Sequence, residues 1–134
     1  MPGYPVPVEH IHLENPMSKT DSYSELTREV SRNLAPLRSH NPEVMEGFGA
    51  LSKAALAPGA LDGKTKELIA MAISVANRCD ACIGFHAKAL AGLGATPEEL
   101  RETLGVAVYM GGGPSLMYAA NALAAYGEFS ATQG

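Results

Sequence analysis

Apolar residues recur along this chain at intervals of three and four, and no segment alternates with period two for long. Such spacing places residues on one face of a 3.6-residue helix, so the pattern predicts helices throughout. Leu26, Val30 and Leu34 make the first stripe, opened by Ser22 and Glu25 as a capping box and ended before Pro36. Asn41 caps a second helix with Pro42 in its first turn, and Val44, Phe48, Leu51 and Ala55 are its expected buried face. Pro58–Gly59 ends it. A third helix is expected from Asp62 to Asn77, and a fourth from Asp80 to Ala91, stopped by Gly92 and Gly94. Thr96-Pro97-Glu98-Glu99 reads as another capping box, followed by Leu100, Leu104, Ala107 and Val108 on one side. Gly111-Gly112-Gly113 separates a last helix running from Pro114 to Phe129. The expected fold is all-α, a compact bundle of five or six helices.

Residues 1–20 break this pattern. Pro2, Pro5, Pro7 and Pro16 stand there without a helical period, which reads as a flexible N-terminal arm before a helical domain over 21–134. His10 and His12 alternate within the arm, and Met17 is an alternative start. The triple glycine lacks the lysine and hydroxyl of a nucleotide-binding loop and reads as an interhelix turn.

Composition narrows the function classes. Hydrophobic residues are 46% of the 134 and charged residues 18%, a globular balance in which alanine and leucine favour helix. The formal net charge of −4 offers no basic surface for nucleic acid or an anionic membrane. No apolar run approaches the roughly 18 residues of a membrane span. No basic segment leads into a long apolar stretch as in an export signal, so a cytoplasmic location is expected. Ile69–Ala76 is apolar around most of its circumference, more than a helix with one buried face requires. A closed homo-oligomer, a trimer or a hexamer, is therefore expected.

The chemistry concentrates on two cysteines. Cys79 and Cys82 are the pair, and a bridge across so short a span closes too small a loop to stabilise a fold through chain entropy. The spacing reads as reactive or metal-binding rather than architectural. At about 100° per residue, Cys82 falls about 60° and His86 about 20° from Cys79, one narrow helix face. With Asp80 as cap, Cys79 sits at the helix mouth and Cys82 in the first turn. There free N–H groups and the helix dipole stabilise a thiolate, with Arg78 adjacent. His86, one turn beyond Cys82, is placed to exchange a proton with it. This face argument alone leaves open which cysteine is the nucleophile.

Glu67 shares a strip with Ser74 and Arg78 on an otherwise apolar helix, the pattern of a solvated stripe. On one straight helix it would lie about 18 Å from Cys79. If the chain instead turns back near Cys79, His86 comes level with Glu67, giving the order thiol, histidine, carboxylate.

Glu67, eleven intervening residues and then Cys79-Asp80-Ala81-Cys82-Ile83-Gly84-Phe85-His86, followed by Ala91-Gly92-Leu93-Gly94-Ala95-Thr96-Pro97-Glu98-Glu99, is a specific arrangement. It resembles the alkylhydroperoxidase D-like branch of the carboxymuconolactone decarboxylase family, over residues 40–129. The resemblance implies an all-helical, oligomeric peroxidase with no prosthetic group. It assigns attack on an organic hydroperoxide to Cys82, resolution as a disulfide to Cys79, and a proton relay to Glu67 and His86. An external dithiol, on a lipoyl-bearing or thioredoxin-like protein, then restores the pair. Ala81 stands where some peroxidase members carry histidine, and the length matches one copy of the helical unit of two-repeat members. Two other functions fit parts of the pattern: a zinc-binding structural or regulatory site on Cys79, Cys82 and His86 that Glu67 or a neighbouring subunit would have to complete, and a lyase like the one that names the family. The family's lyases generally lack the paired cysteines.

Overall fold

Seven helices and no strand account for the described residues, 22–133, of the computed structural model. They are α1 (Tyr23–Asn33), α2 (Ala35–His40), α3 (Pro42–Leu56), α4 (Gly63–Ala76), α5 (Asp80–Gly92), α6 (Pro97–Gly111) and α7 (Gly113–Gln133). The all-α expectation holds. The arm expected over residues 1–20, with His10, His12 and Met17, lies outside the described residues. The short α2 occupies the stretch where Pro36 was expected only to stop a helix; at the first turn of a new helix a proline loses no hydrogen bond.

Local capping explains most boundaries. Asp62 accepts the Thr65 N–H at the start of α4, over 2.7 Å. At α6, Thr96 and Glu99 exchange both bonds of a capping box. Of the three glycines at 111–113, Gly112 alone leaves the helical region, with φ +72° between α6 and α7. Ser22 caps α1 through the Glu25 N–H, but the reciprocal partner is distant: Glu128 of α7. Its carboxylate accepts from the Ser22 hydroxyl and from the Tyr23 and Ser24 N–H groups, at 2.9–3.0 Å.

Burial of Glu128 opposes its ionisation, yet the hydrogen bonds from Ser24, Tyr23 and Ser22 outweigh it and hold its pKa below the ordinary glutamate value. A depressed folded value means a contribution to stability that is fully present above the unfolded glutamate pKa, about 4.3. It is lost as the pH falls through the lower folded value. Thermal midpoints followed from about pH 6 down to about pH 3 should therefore drop less steeply in Glu128→Gln than in the parent chain.

The core lies between α4, α5, α6 and α7. Met71 and Val75 of α4, Ile83 and Leu90 of α5, and Leu100 of α6 are fully buried. Against them α7 turns a strip of small residues, Ala119, Ala122 and Ala125, so that α5 packs closely along it. On the other side of α5 lies α1, buried through Tyr23 and Thr27 rather than through the expected stripe, whose Leu26, Val30 and Leu34 are half-buried. Gly84 permits this approach: a Cβ there would stand 2.7 Å from Thr27 Cγ2 and 3.3 Å from Tyr23 Cδ1.

Alanine at position 84 would gain about 1 kcal/mol of helix propensity and lose about 1–3 to overpacking against a stiff β-branched neighbour. Urea unfolding should place Gly84→Ala below the parent in stability. The added Thr27→Ser change, which removes the obstructing methyl, should restore most of the loss.

α3 departs from the sequence expectation. None of its residues is buried, and Val44, Phe48 and Leu51 are each about two-thirds exposed. Among the described residues it packs only on α2 and α4. Its apolar stripe is real, but nothing among the described residues covers it.

Candidate active site

α4 ends and α5 begins in a tight reversal. The Cys79 N–H donates to the Ser74 carbonyl over 3.0 Å and the Arg78 N–H to the Val75 carbonyl over 3.1 Å. This two-bond closure needs a left-handed residue, usually glycine, and Arg78 takes that role at φ +57°. The left-handed backbone costs an L-residue roughly 1–2 kcal/mol. In return the chain turns back within three residues, and α4 and α5 lie side by side.

That reversal brings Glu67 and His86 together. His86 Nδ1 stands 2.6 Å from Glu67 Oε2, across 19 positions of sequence. Glu67 is 9% exposed, so it does not lie on a solvated stripe. Its strip-mates divide: Ser74 is buried with its hydroxyl donating to the Ala70 carbonyl, and Arg78 is exposed. A carboxylate only accepts, so this contact assigns the ring proton to Nδ1 and leaves Nε2 of the half-buried His86 free to accept a proton.

At the start of α5, Cys79 itself is the cap, one position earlier than expected, and Asp80 is the first helical residue. Cys79 and Cys82 are joined as a disulfide, with Cα atoms 5.2 Å apart, and both are half-buried. The sulfur that accepts a helix N–H is that of Cys79, from Cys82 N over 3.2 Å. Helix-mouth stabilisation of sulfur, expected for Cys82, thus acts on Cys79 in the oxidised pair. His86 follows Cys82 by one turn on the same helix face.

The four expected residues, Glu67, Cys79, Cys82 and His86, thus occupy two adjoining helices around one corner of the bundle. Among the described residues no group of three or more His, Cys, Asp and Glu side chains is arranged to hold a metal ion, so the zinc reading gains no ligand set here. Two polar residues absent from the sequence reading also reach this corner. The Tyr23 hydroxyl and the Asn121 amide both donate to Asp80 Oδ1, over 2.8 and 3.2 Å. Nothing local to Tyr23 or Asn121 announces that contact; they come from helices far along the chain.

Comparison with known proteins follows the same outline. The pattern of the carboxymuconolactone decarboxylase family matches residues 42–125. An uncharacterised protein of Cupriavidus necator is 40% identical over 112 residues, which are 84% of this chain and 98% of the relative. The solved structure of an apo carboxymuconolactone decarboxylase family protein from Legionella pneumophila superposes with a TM-score of 0.79 at 60% identity. The match covers 81% of this chain and 96% of that one. A family protein from Thermotoga maritima, for which a role in an antioxidative response has been suggested, is 32% identical with a TM-score of 0.71. There the covered shares are 80% and 92%.

Proposed function

This chain belongs to the carboxymuconolactone decarboxylase family, and we propose that it is a thiol-dependent peroxidase, a dithiol–disulfide oxidoreductase acting on organic hydroperoxides. The observation that carries the reading is the Glu67–His86 pair, its carboxylate buried, on the same helical corner as the Cys79–Cys82 disulfide. A lone Cys-x-x-Cys is common; one supplied with an oriented base is equipped for proton transfer. The antioxidative role suggested for the Thermotoga maritima protein points the same way.

In the dithiol form, His86 Nε2 takes the proton of Cys82, and Glu67 holds the ring in orientation. The thiolate attacks one oxygen of the hydroperoxide, an S–O bond forms and the O–O bond breaks. The departing alkoxide takes the proton back from His86 and leaves as an alcohol. Cys82 is then a sulfenic acid, which Cys79 attacks with loss of water to give the disulfide. An external dithiol, on a lipoyl-bearing or thioredoxin-like protein, supplies two electrons and two protons by exchange. The cycle needs no prosthetic group.

The test is hydroperoxide consumption by the reduced protein with dithiothreitol, dihydrolipoamide or a thioredoxin as donor, beside Cys82→Ser. Disulfide formation that is peroxide-dependent and reversed by a dithiol supports the proposal. A dithiol form inert to peroxide, or family lyase activity that survives loss of both cysteines, would overturn it.

No helix among the described residues is long and apolar enough to cross a membrane. A second copy of this chain is the partner we propose for the bare apolar surfaces. Besides α3, these include a groove of about 400 Å³ between α4 and α6, walled by Leu68, Ile69, Ala72, Ile73 and Val106. Tyr109 and Met110, at the end of α6, are 84% and 75% exposed. Patches of this kind mark interaction surfaces in soluble proteins. Light scattering should give three or six chain masses at micromolar concentration; a monomer would remove the proposal.

A further inference from the structure

Asp80 directly follows Cys79 and precedes Cys82 by two residues, at the first position of α5. One of its carboxylate oxygens is held from two other helices, by the hydroxyl of Tyr23 in α1 and the amide of Asn121 in α7. Those partners lie 57 and 41 positions away, so the packing of three helices converges on the single charge of the residue that follows Cys79. The Tyr23 ring is 9% exposed and lies against Gly84, which keeps its hydroxyl in register with Asp80. Burial, then the hydrogen bond to Asp80 and its charge, raise the Tyr23 pKa far beyond the usual tyrosine range. Tyr23 therefore stays a donor, and with the Asn121 amide it fixes the Asp80 carboxylate in place from two sides.

A fixed negative charge at this place acts on the dithiol in two ways. It opposes the formation of a second negative charge on a neighbouring sulfur. It also occupies the positive end of α5, whose dipole would otherwise favour a thiolate. We propose that the Asp80 charge, positioned by Tyr23 and Asn121, restrains the acidity of the Cys79–Cys82 thiols and so biases the pair toward the disulfide. The bias is felt wherever a thiol is ionised, since only the thiolate meets the repulsion. Other titratable groups around this corner are Tyr118 and Glu128 of α7, which act on the Tyr23 hydroxyl, the Glu67–His86 pair between α4 and α5, and the exposed Arg78. The proposal rests on the dithiol chemistry of the preceding section but not on peroxide as the oxidant.

The experiment therefore uses dithiothreitol alone. Thiolate absorbance of the reduced protein is titrated against pH, and the exchange equilibrium with dithiothreitol is measured near pH 8, where each disulfide reduced takes two electrons and two protons from the reagent. Asp80→Asn keeps the side-chain shape and an acceptor for Tyr23 but removes the charge. Its first thiol should titrate about half to one pH unit lower, and the exchange equilibrium should move about three- to tenfold toward the dithiol. Tyr23→Phe keeps the ring on Gly84 but releases the carboxylate from its position, so it should move the titration downward, part of the way toward Asp80→Asn, in the parent but not in the Asp80→Asn background. Asn121→Ala should repeat that behaviour and replaces Tyr23→Phe if the latter does not fold; Asp80→Ser replaces Asp80→Asn in the same way. An Asp80→Asn protein with the parent titration and equilibrium would overturn the proposal. So would a Tyr23→Phe shift of equal size in both backgrounds, the result of a merely structural role. A protein inert to peroxide that still shows the Asp80 effect would retire the peroxidase reading and leave this one standing.

Discussion

Cys82→Ser protein, given organic hydroperoxide and a dithiol donor, should lose turnover by on the order of 10³-fold or more, the effect of removing a nucleophile. The reciprocal Cys79→Ser protein should react once and stop, leaving a sulfenic acid on Cys82 that a dimedone-type probe traps for mass spectrometry. The order is a real choice between two cysteines. Cys82 stands one turn before His86 on the same face, the short path for a proton. Cys79 holds the capping position, and its sulfur takes the one helix N–H seen at the pair. That hydrogen bond can lower the pKa of a thiolate at Cys79 and equips it equally well as a leaving group when the external dithiol attacks Cys82. Proximity to the base and the family resemblance favour Cys82 as the attacking residue. A trapped sulfenic acid on Cys79 in the Cys82→Ser protein would reverse the assignment.

The second large effect is expected at the base. His86→Ala should slow peroxide reduction by roughly 10²–10⁴-fold, the usual range for losing a positioned acid–base group. It also leaves the buried Glu67 carboxylate without its 2.6 Å partner, a stability cost of about 1–3 kcal/mol. Rates should therefore be compared well below the unfolding midpoint, with circular dichroism confirming the folded helix content. Glu67→Gln should slow the reaction less, because His86 remains. An amide can present either its oxygen or its NH₂ to Nδ1, so the imidazole is no longer held in one tautomer. The pH profile of the rate should change shape in Glu67→Gln. A profile identical to the parent's would reduce the pair to a structural contact.

Helix starts were legible because caps act within four residues. Asp62 reaches Thr65, Thr96 reaches Glu99, and Pro42 needs only its own ring to suit a first turn. The common face of Cys79, Cys82 and His86 was legible for the same reason, since helical pitch alone relates them. The reversal after α4 was harder to read than its end: a left-handed residue there is usually glycine, and Arg78 gives no such signal. The apolar face of α3 was visible in the spacing of Val44, Phe48 and Leu51, but periodicity reports that a face is apolar, not what covers it.

The sequence by itself determined the helical class, most helix boundaries and the thiol–histidine face, all consequences of interactions spanning a turn or two. The tertiary structure decided the rest of the site. Glu67 became a buried partner of His86 because the chain reverses at Arg78 and lays α4 beside α5. Asp80 acquired Tyr23 and Asn121 because Gly84 lets α1 approach α5 while the alanine strip of α7 closes from another side. Contacts across 19, 41 and 57 positions depend on how whole helices pack, and short-range periodicity carries no information about which distant side chains that packing will join.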